Sequence, residues 1–347
     1  MMVQAVQFCS LIGRMHFIGL MRDILLVPFC IFIKLVFSVR YDKIKWIGNP
    51  GWVYGRYFML IQWFPGHMTK TKRMIEDHLK AVDVVAELLD ARIPASSANP
   101  MVEELVKGKP RIVILNKADL ADPKATDQWI SYYKKKNIPV VPMSVGNGKN
   151  KKKLLALIRE TAEPILSKWY RKGLKNRSVR LMILGIPNVG KSSLINFLAG
   201  TAAARTANTP GHTRGKQWVR LSEGLDLLDT PGVLWPKFDD QTAALRLAAT
   251  GAIAGDVFNS DEVVPILLSS LAETAPQVLQ DIYKIDDVHQ DPQLLLEAAG
   301  RRRGCLLPGG AIDYDRAETA VLHDFRSGKL GRITLDPIPV ETGAEKK

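Results

Sequence analysis

A chain of 347 residues, 46% of them hydrophobic, is long enough for two compact domains and apolar enough to bury a substantial core, which excludes a globally disordered protein. Its formal net charge of +13 indicates a polyanionic partner such as RNA or an anionic membrane surface, although such charge also serves solubility alone. The three cysteines, Cys9, Cys30 and Cys305, are too scattered for a disulfide framework or a zinc site and fit a reducing compartment.

The first 58 residues differ in composition from the rest of the chain. Their apolar run from Ile24 to Ile33 contains Pro28 and is followed by Lys34, so it is shorter than the roughly 20 apolar residues that span a bilayer. Their excess of Lys and Arg over Asp also fits a signal peptide or an organellar presequence. We predict instead that residues 1–58 are an extension upstream of a true start at Met59, and we expect no stable membrane association.

From Met59 onward, short apolar runs alternate with longer amphipathic segments. The runs predict strands at Val82–Leu89, Arg111–Leu115, Ile138–Met143, Val179–Leu184, Gln217–Leu221 and Leu225–Leu228. Between them, helices are predicted at Thr69–Lys80, Pro100–Lys107, Ala125–Lys136, Lys152–Leu166 and Lys191–Leu198. This alternation predicts an α/β domain over residues 59–255, with a mostly parallel sheet and helices on both faces.

The pattern after Val257 is helical throughout. Helices are predicted at Glu262–Ala272, Ala275–Tyr283, Asp291–Ala299 and Tyr314–Ser327. We therefore predict a small all-α domain over residues 256–335, followed by a tail at 336–347.

Polar or glycine residues directly follow four of the predicted strands, at Asn116, Ser144, Gly185 and Asp229. Ligands of open parallel sheets bind at the carboxyl ends of the strands. We therefore expect four loops to converge on one edge of the sheet and to form a single binding site there.

The first of these loops, Asn116-Lys117-Ala118-Asp119, has the residues of a guanine-reading loop. The Asp119 carboxylate can accept hydrogen bonds from the ring N1–H and the exocyclic amine of guanine, a donor pair that adenine lacks. The stem of Lys117 can pack on the base, and Asn116 can tie this loop to a phosphate-binding loop. Ser144 and Val145 are expected to back the base from the next loop.

The run from Gly185 to Ser192 follows a predicted strand and opens a predicted helix, which is the context of a phosphate-binding loop. Its glycines let backbone N–H groups approach phosphates, and the helix N-terminus adds favourable partial charge. Lys191 is expected at the β- and γ-phosphates, and the Ser192 hydroxyl at Mg²⁺. The predicted phosphate-binding residues of this loop are Gly185, Pro187, Asn188, Val189, Gly190, Lys191, Ser192 and Ser193.

A third nucleotide loop is predicted at Asp229-Thr230-Pro231-Gly232. Asp229 is expected to hold Mg²⁺, and the Gly232 N–H to face the γ-phosphate. Thr213, in the polar loop before it, is the predicted second hydroxyl on Mg²⁺, with Thr206 and Thr209 as alternatives.

The guanine loop precedes the phosphate loop, whereas in most GTPases it follows. The fold is therefore predicted to be a circularly permuted P-loop GTPase domain. Many GTPases carry a glutamine directly after the Gly232 position to orient the attacking water. This chain has Val233 there, so slow intrinsic turnover is expected.

Several runs together resemble one family: Gln62–Met68, Asp90–Pro94, Asn116–Asp119, Gly185–Ser192 and Asp229–Lys237. In sequence and order they are similar to the ribosome biogenesis GTPase A family, the YlqF-type permuted GTPases, over residues 59–332. The resemblance implies a GTP-hydrolysing assembly factor that binds a late large ribosomal subunit precursor and its rRNA and is released on GTP hydrolysis. It also implies stimulation by the ribosomal particle, a cytoplasmic location unless the chain is an organellar homologue, and a monomer.

The resemblance also implies two roles that the residues alone do not. His67, in the Phe-Pro-Gly-His-Met run, takes the place of the missing glutamine in hydrolysis, although His212 could compete with it. The family also uses a potassium ion near the phosphates that is linked to an asparagine of the phosphate loop; Asn188 matches that position, so K⁺ is an expected activator beside Mg²⁺.

Two questions stay open in the sequence. Asp90-Ala91-Arg92 could brace the guanine loop, contact RNA or serve packing alone. Basic runs at Lys149–Lys153, Lys168–Arg180 and Arg301–Arg303 are candidate RNA contacts or simply solvated faces.

Because only Thr242–Ala252 separates the Gly232 loop from the predicted helical domain, we expect the nucleotide state to be relayed to that domain. The alternative function is a regulatory GTPase switch that acts on a protein, a membrane or another structured RNA.

Overall fold

The computed structural model describes residues 68–174, 177–199, 218–222, 224–228, 241–253 and 258–339. The chain divides into two compact units, Met1–Tyr57 and Phe58–Lys347, and every described residue belongs to the second. The predictions for residues 1–58 therefore lie outside the described residues.

Within these ranges, the strands form one sheet of six in the order β3-β2-β1-β4-β6-β5. The strands are β1 Val84–Asp90, β2 Arg111–Asn116, β3 Val140–Pro142, β4 Val179–Gly185, β5 Trp218–Ser222 and β6 Leu225–Leu228. All neighbours are parallel except β5 and β6, which are antiparallel. The mostly parallel sheet is thus confirmed, and every predicted strand is present with its ends shifted by at most two residues.

The helices alternate with the strands and then continue alone. Those of the α/β part are α1 Met68–Leu79, α2 Pro94–Ser97, α3 Pro100–Leu105, α4 Pro123–Lys135, α5 Gly148–Arg171, α6 Lys191–Ala199 and α7 Gln241–Thr250. Those that follow are α8 Ser260–Thr274, α9 Pro276–Val278, α10 Pro292–Arg302 and α11 Tyr314–Arg326. A π-helical turn, Leu279–Tyr283, directly continues α9, so the single helix predicted at Ala275–Tyr283 changes its period midway.

Both faces of the sheet are covered because its strands are apolar on both sides. On one face, Ala86 and Ile114 belong to the same buried cluster as Leu154 and Ile158 of α5. On the other face, α1 and α3 pack on Val85, and α4 packs through Trp129 on Val113. The predicted α/β architecture with helices on both faces is therefore confirmed.

The cluster that contains α5 continues into the C-terminal helices through Leu247 of α7, Leu268 of α8, Leu296 of α10 and Phe325 of α11. The boundary predicted between residues 255 and 256 falls outside the described residues and stays a prediction.

After α11 the chain returns to the α/β part as an irregular segment, residues 328–336, which we call the returning segment. Its Leu335 N–H donates to the Arg92 carbonyl at 2.8 Å. The buried Asp336 carboxylate accepts from the Ser96 N–H and hydroxyl, each at 2.7 Å, and from Arg246 of α7 at 2.9 Å.

Among the helices that the structure describes, none is long and apolar enough to cross a membrane.

Candidate nucleotide-binding site

The carboxyl ends of four adjacent strands, β3, β2, β1 and β4, bring the predicted loops together. The parallel register pairs Asp90 with Asn116, and Leu88 with Gly185. Ser144 lies just beyond the end of β3, which pairs with β2. Three of the four loops therefore meet at one sheet edge as expected, and the fourth, at Asp229, lies outside the described residues.

The phosphate loop joins β4 to α6 in a conformation that requires glycine at two points. A Cβ on Gly185 would lie 2.7 Å from the Leu88 carbonyl oxygen of the neighbouring strand. Gly190 has φ of +105°, and a Cβ there would lie 2.4 Å from the Asn116 amide nitrogen. The left-handed region is open to glycine at no steric cost, so the glycines allow the loop to pass close to both neighbours.

Lys191, the first residue of α6, folds back over this loop. Its Nζ donates to the carbonyls of Gly185 at 3.0 Å and Ile186 at 2.6 Å. Burial lowers the pKa of the lysine to about 8, because a desolvated ammonium is less stable. A phosphate group bound at this position would favour the charged form again.

The guanine loop is tied directly to the phosphate loop. The Asn116 Nδ2 donates to the Val189 carbonyl at 2.8 Å, and the Lys117 Nζ donates to the Asn188 carbonyl at 3.2 Å. Lys117 itself has φ of 58°. The link expected from Asn116 is therefore present, and Lys117 adds a second one that the sequence did not indicate.

A buried ion pair of Asp90 and Arg92 is connected to both loops through Lys117. The Asp90 carboxylate accepts from Arg92 Nε at 2.9 Å and Nη2 at 2.7 Å, and from Lys117 Nζ at 2.9 Å. Burial by itself would raise the pKa of Asp90, but the bonds and charges of Arg92 and Lys117 outweigh it and hold the pKa below its usual value. Because Arg92 is only 2% exposed, its side chain cannot reach RNA, and the pair braces the guanine loop.

An open cavity lies at the end of β2 and β3, beside the loop predicted to read guanine. It is lined by Ala118, Asp119, Ser144, Asn150 and Arg332, among others. Asp119 is exposed there, and Val145 is 45% exposed. Arg332 comes from the returning segment and was not expected from the sequence at all, since no pattern connects residues so far apart.

The start of α6 offers oxygen ligands for a metal ion. Ser192 and Ser193 are both exposed in its first turn. A hydroxyl oxygen suits Mg²⁺, which takes few protein ligands and is completed by phosphate and water oxygens. Ser192 therefore fits the ion that GTPases use. The predicted partners Thr213 and Asp229, with Gly232, His67 and the alternatives Thr206, Thr209 and His212, lie outside the described residues.

The last turn of α7 receives donors from the site, another feature that the sequence did not indicate. The Asn188 Nδ2 donates to the Gly251 carbonyl at 2.9 Å, and Arg92 Nη2 lies 3.5 Å from the Thr250 carbonyl. From α11, Arg326 donates to the carbonyls of Ala249 at 2.9 Å and Ala248 at 2.8 Å. The segment between the predicted Gly232 loop and the C-terminal helices thus contacts the phosphate loop directly.

Comparison with known proteins gives relatives that align over nearly all of their own length. The family profile described as "50S ribosome-binding GTPase" matches residues 180–296. "Ribosome biogenesis GTPase A" of Bacillus cereus is 44% identical over 287 residues, which cover 83% of this chain and 97% of that protein. The protein of the same name in Priestia megaterium is 45% identical over 279 residues, covering 80% and 97%. The structure described as GDP-bound YlqF aligns with a TM-score of 0.59 at 27% identity, covering 76% of this chain and 98% of the other.

Proposed function

This chain belongs to the ribosome biogenesis GTPase A family and is a GTPase of ribosome assembly, and from that premise we propose that it binds a late precursor of the large ribosomal subunit. In this proposal the chain binds with GTP and leaves the particle when GTP is hydrolysed. The observation that carries the nucleotide part is the direct bonding of the guanine loop to the phosphate loop through Asn116 and Lys117. We further propose a monomer that acts in the cytoplasm.

We assign guanine recognition to Asp119, with Ser144 and Val145 beside the base. Phosphate binding falls to the loop from Gly185 to Ser193 and to Gly232, and Mg²⁺ to Ser192, Thr213 and Asp229. Lys191 supports this assignment, because its partly desolvated ammonium gains a favourable partner when a phosphate binds.

Potassium activation through Asn188 is part of the proposal. The Asn188 side-chain nitrogen donates to the Gly251 carbonyl, so the amide is held in one orientation with its oxygen as the remaining acceptor. An amide oxygen is a suitable ligand for an alkali cation. GTP turnover measured in K⁺ and in Na⁺ at equal ionic strength tests this, and equal rates would contradict it.

We propose that His67 assists the attacking water, since Val233 has no polar group for that role. His67→Ala should then abolish most of the turnover that the ribosomal particle stimulates, while GDP affinity stays the same. Full stimulated turnover in the variant would remove the assignment.

The RNA-facing surface is proposed at the end of α5. Trp169 has the Arg177 guanidinium 4.2 Å and the Lys172 ammonium 5.5 Å from its ring centroid. Tyr170 beside it is 45% exposed, and Arg171 is exposed as well. Cations arranged around aromatic rings suit a nucleic-acid backbone with unstacked bases, and phosphate contacts make such binding weaken with salt.

The test is co-sedimentation with large-subunit precursors in the presence of a non-hydrolysable GTP analogue. The double variant Arg171→Gln/Lys172→Gln should lose about ten-fold in affinity and show a shallower salt dependence. The control Lys134→Gln/Lys135→Gln removes the same charge from the exposed end of α4. Equal losses in both pairs would indicate general charge attraction, and absence of the wild-type chain from every ribosomal fraction would favour a switch acting on another partner.

A further inference from the structure

The returning segment closes over the guanine loop. Arg332 donates from Nε to the Ala121 carbonyl and from Nη2 to the Ala118 carbonyl, both at 2.9 Å. The next residue, Ile333, donates its N–H to the Leu120 carbonyl at 2.9 Å. Three carbonyls around Asp119 are therefore held by two adjacent residues that lie more than 200 positions later in the chain.

The two halves of the guanine loop are held by different parts of the protein. Before Asp119, the loop is fixed by the α/β part, through Lys117 and through the Ala118 N–H, which donates to the Met143 carbonyl at 3.0 Å. After Asp119, the bonds to other elements come from the returning segment, through Arg332, Ile333 and the Thr334 hydroxyl, which accepts from the Asp122 N–H at 3.2 Å. Arg332 is the only side chain that bridges the two halves in the described part of the chain, because it bonds on both sides of Asp119.

This bridge matters because Asp119 is exposed and stands on a turn. A carboxylate that must accept two hydrogen bonds from one base edge is effective only when its backbone is fixed beforehand, since disorder lost on binding reduces affinity. A guanidinium holds two carbonyls at once in a planar arrangement, whereas a lysine ammonium is a point donor on a flexible stem. The side chain at residue 332 is thus suited to fixing this turn.

We propose that Arg332 is a positioning residue for guanine selectivity, which sets Asp119 for its contact with the base from outside the α/β part. The proposal rests on the assignment of Asp119 to guanine made above. The C-terminal returning segment then forms part of the nucleotide site, and guanine binding and the docking of that segment reinforce each other.

The experiment compares the dissociation constants of GDP and IDP, because hypoxanthine lacks the exocyclic amine that Asp119 reads. Arg332→Gln should weaken GDP binding about ten-fold and IDP binding by less, so the preference for GDP shrinks. Arg332→Lys should restore part of the affinity. A merely structural role of Arg332 would lower the melting temperature without changing the ratio of the two constants.

Arg246→Gln is the matched control. Arg246 binds Asp336 of the same segment at 2.9 Å and does not bond to the guanine loop. It should lower the melting temperature and leave the GDP/IDP ratio unchanged. The proposal is overturned if Arg332→Gln keeps the wild-type ratio, or if Arg246→Gln shifts that ratio equally.

The variant Asp119→Asn distinguishes a failure of the Arg332 proposal from a failure of the guanine assignment on which it rests. An asparagine amide can donate to the second carbonyl of xanthine, so this variant should lose GDP and gain XDP. If it does so while Arg332→Gln keeps its selectivity, the guanine assignment stands and the role of Arg332 fails. If Asp119→Asn binds GDP like the wild type, the assignment itself fails and the role of Arg332 with it.

Discussion

Asp90→Asn tests the buried ion pair that connects the sheet to the guanine loop. The substitution keeps the size of the side chain but removes the charge that holds Arg92 and Lys117. Arg92 then remains at 2% exposure without a counter-ion, and breaking one side of a buried pair costs about 3–5 kcal/mol. We expect the free energy of unfolding to fall by that amount in urea titrations followed by tryptophan fluorescence at 25 °C.

The same variant should weaken GDP binding. Lys117 bonds both to Asp90 and to the Asn188 carbonyl, so without Asp90 it loses the partner that orients it toward the phosphate loop. A ten-fold rise in Kd, about 1.4 kcal/mol, is the expected size. Because the pKa of Asp90 is held below its usual value, its stabilisation is present above about pH 4 and is lost only at lower pH. The stability difference between wild type and variant should therefore be constant from about pH 5 to 7.

Asp324→Asn is the control for this prediction. Asp324 is also buried, and it binds Arg303 Nε at 3.1 Å and the Tyr283 hydroxyl at 3.2 Å, within the C-terminal helices. Its substitution should also lower the free energy of unfolding, by less than Asp90→Asn because Arg303 is 37% exposed, without changing GDP affinity. The reasoning is refuted if Asp90→Asn costs less than about 1 kcal/mol, or if Asp324→Asn weakens GDP binding as much.

Three further predictions address the phosphate loop and its surroundings. Gly190→Ala should abolish nucleotide binding in fluorescent-GDP titrations because its Cβ would overlap Asn116, whereas Gly224→Ala, with φ of +79° but open space, should bind normally. Lys191 has a pKa of about 8, so it is neutral more often as the pH rises. GDP binding at pH 8 should then take up about half a proton, measured by calorimetry in buffers of different ionisation enthalpy, and zero uptake would contradict this. Arg326→Gln removes two bonds to carbonyls at the end of α7 and should lower the free energy of unfolding by about 2 kcal/mol. We also expect GDP binding to protect α11 from hydrogen exchange and Arg326→Gln to remove that protection, and equal protection in the variant would argue against coupling through α7.

The sheet was predictable because the strands of a buried parallel sheet have short, continuous apolar sequences. β6 has the predicted bounds, Leu225–Leu228. The ends of the helices were harder to predict, because a helix cap is indicated by a single residue. α5 begins at Gly148 rather than at the predicted Lys152, since the Asn147 side chain caps it by accepting from the Lys149 N–H. The π-helical turn was missed because an apolar pattern does not separate neighbouring helical periods.

The close approach of the guanine loop and the phosphate loop was predictable for a different reason. Glycines at fixed spacing are needed where backbones approach closely, as Gly185 and Gly190 show. Contacts between a side chain and a distant carbonyl leave no such signal. Arg332 and Arg326 could have been any surface arginines in the sequence, and only the return of the chain after α11 brings them to the guanine loop and to α7.

The contacts at the end of α7 support the proposal that nucleotide state is relayed to the C-terminal helices. A helix C-terminus exposes carbonyls without intrahelical partners, and here the donors come from separate parts of the protein: Asn188 of the phosphate loop, Arg92 behind the guanine loop and Arg326 of α11. The Arg92 guanidinium also lies 5.4 Å from the centroid of the Phe325 ring in α11. If nucleotide moves the phosphate loop, a carbonyl at this helix end loses its donor unless α7 and α11 follow. Leaving such a group unpaired costs about 1–3 kcal/mol, enough to shift a balanced equilibrium by about 5- to 150-fold. We therefore propose that the relay expected through Gly232 has a second route, which starts at Asn188 and does not need a contact between Gly232 and the γ-phosphate.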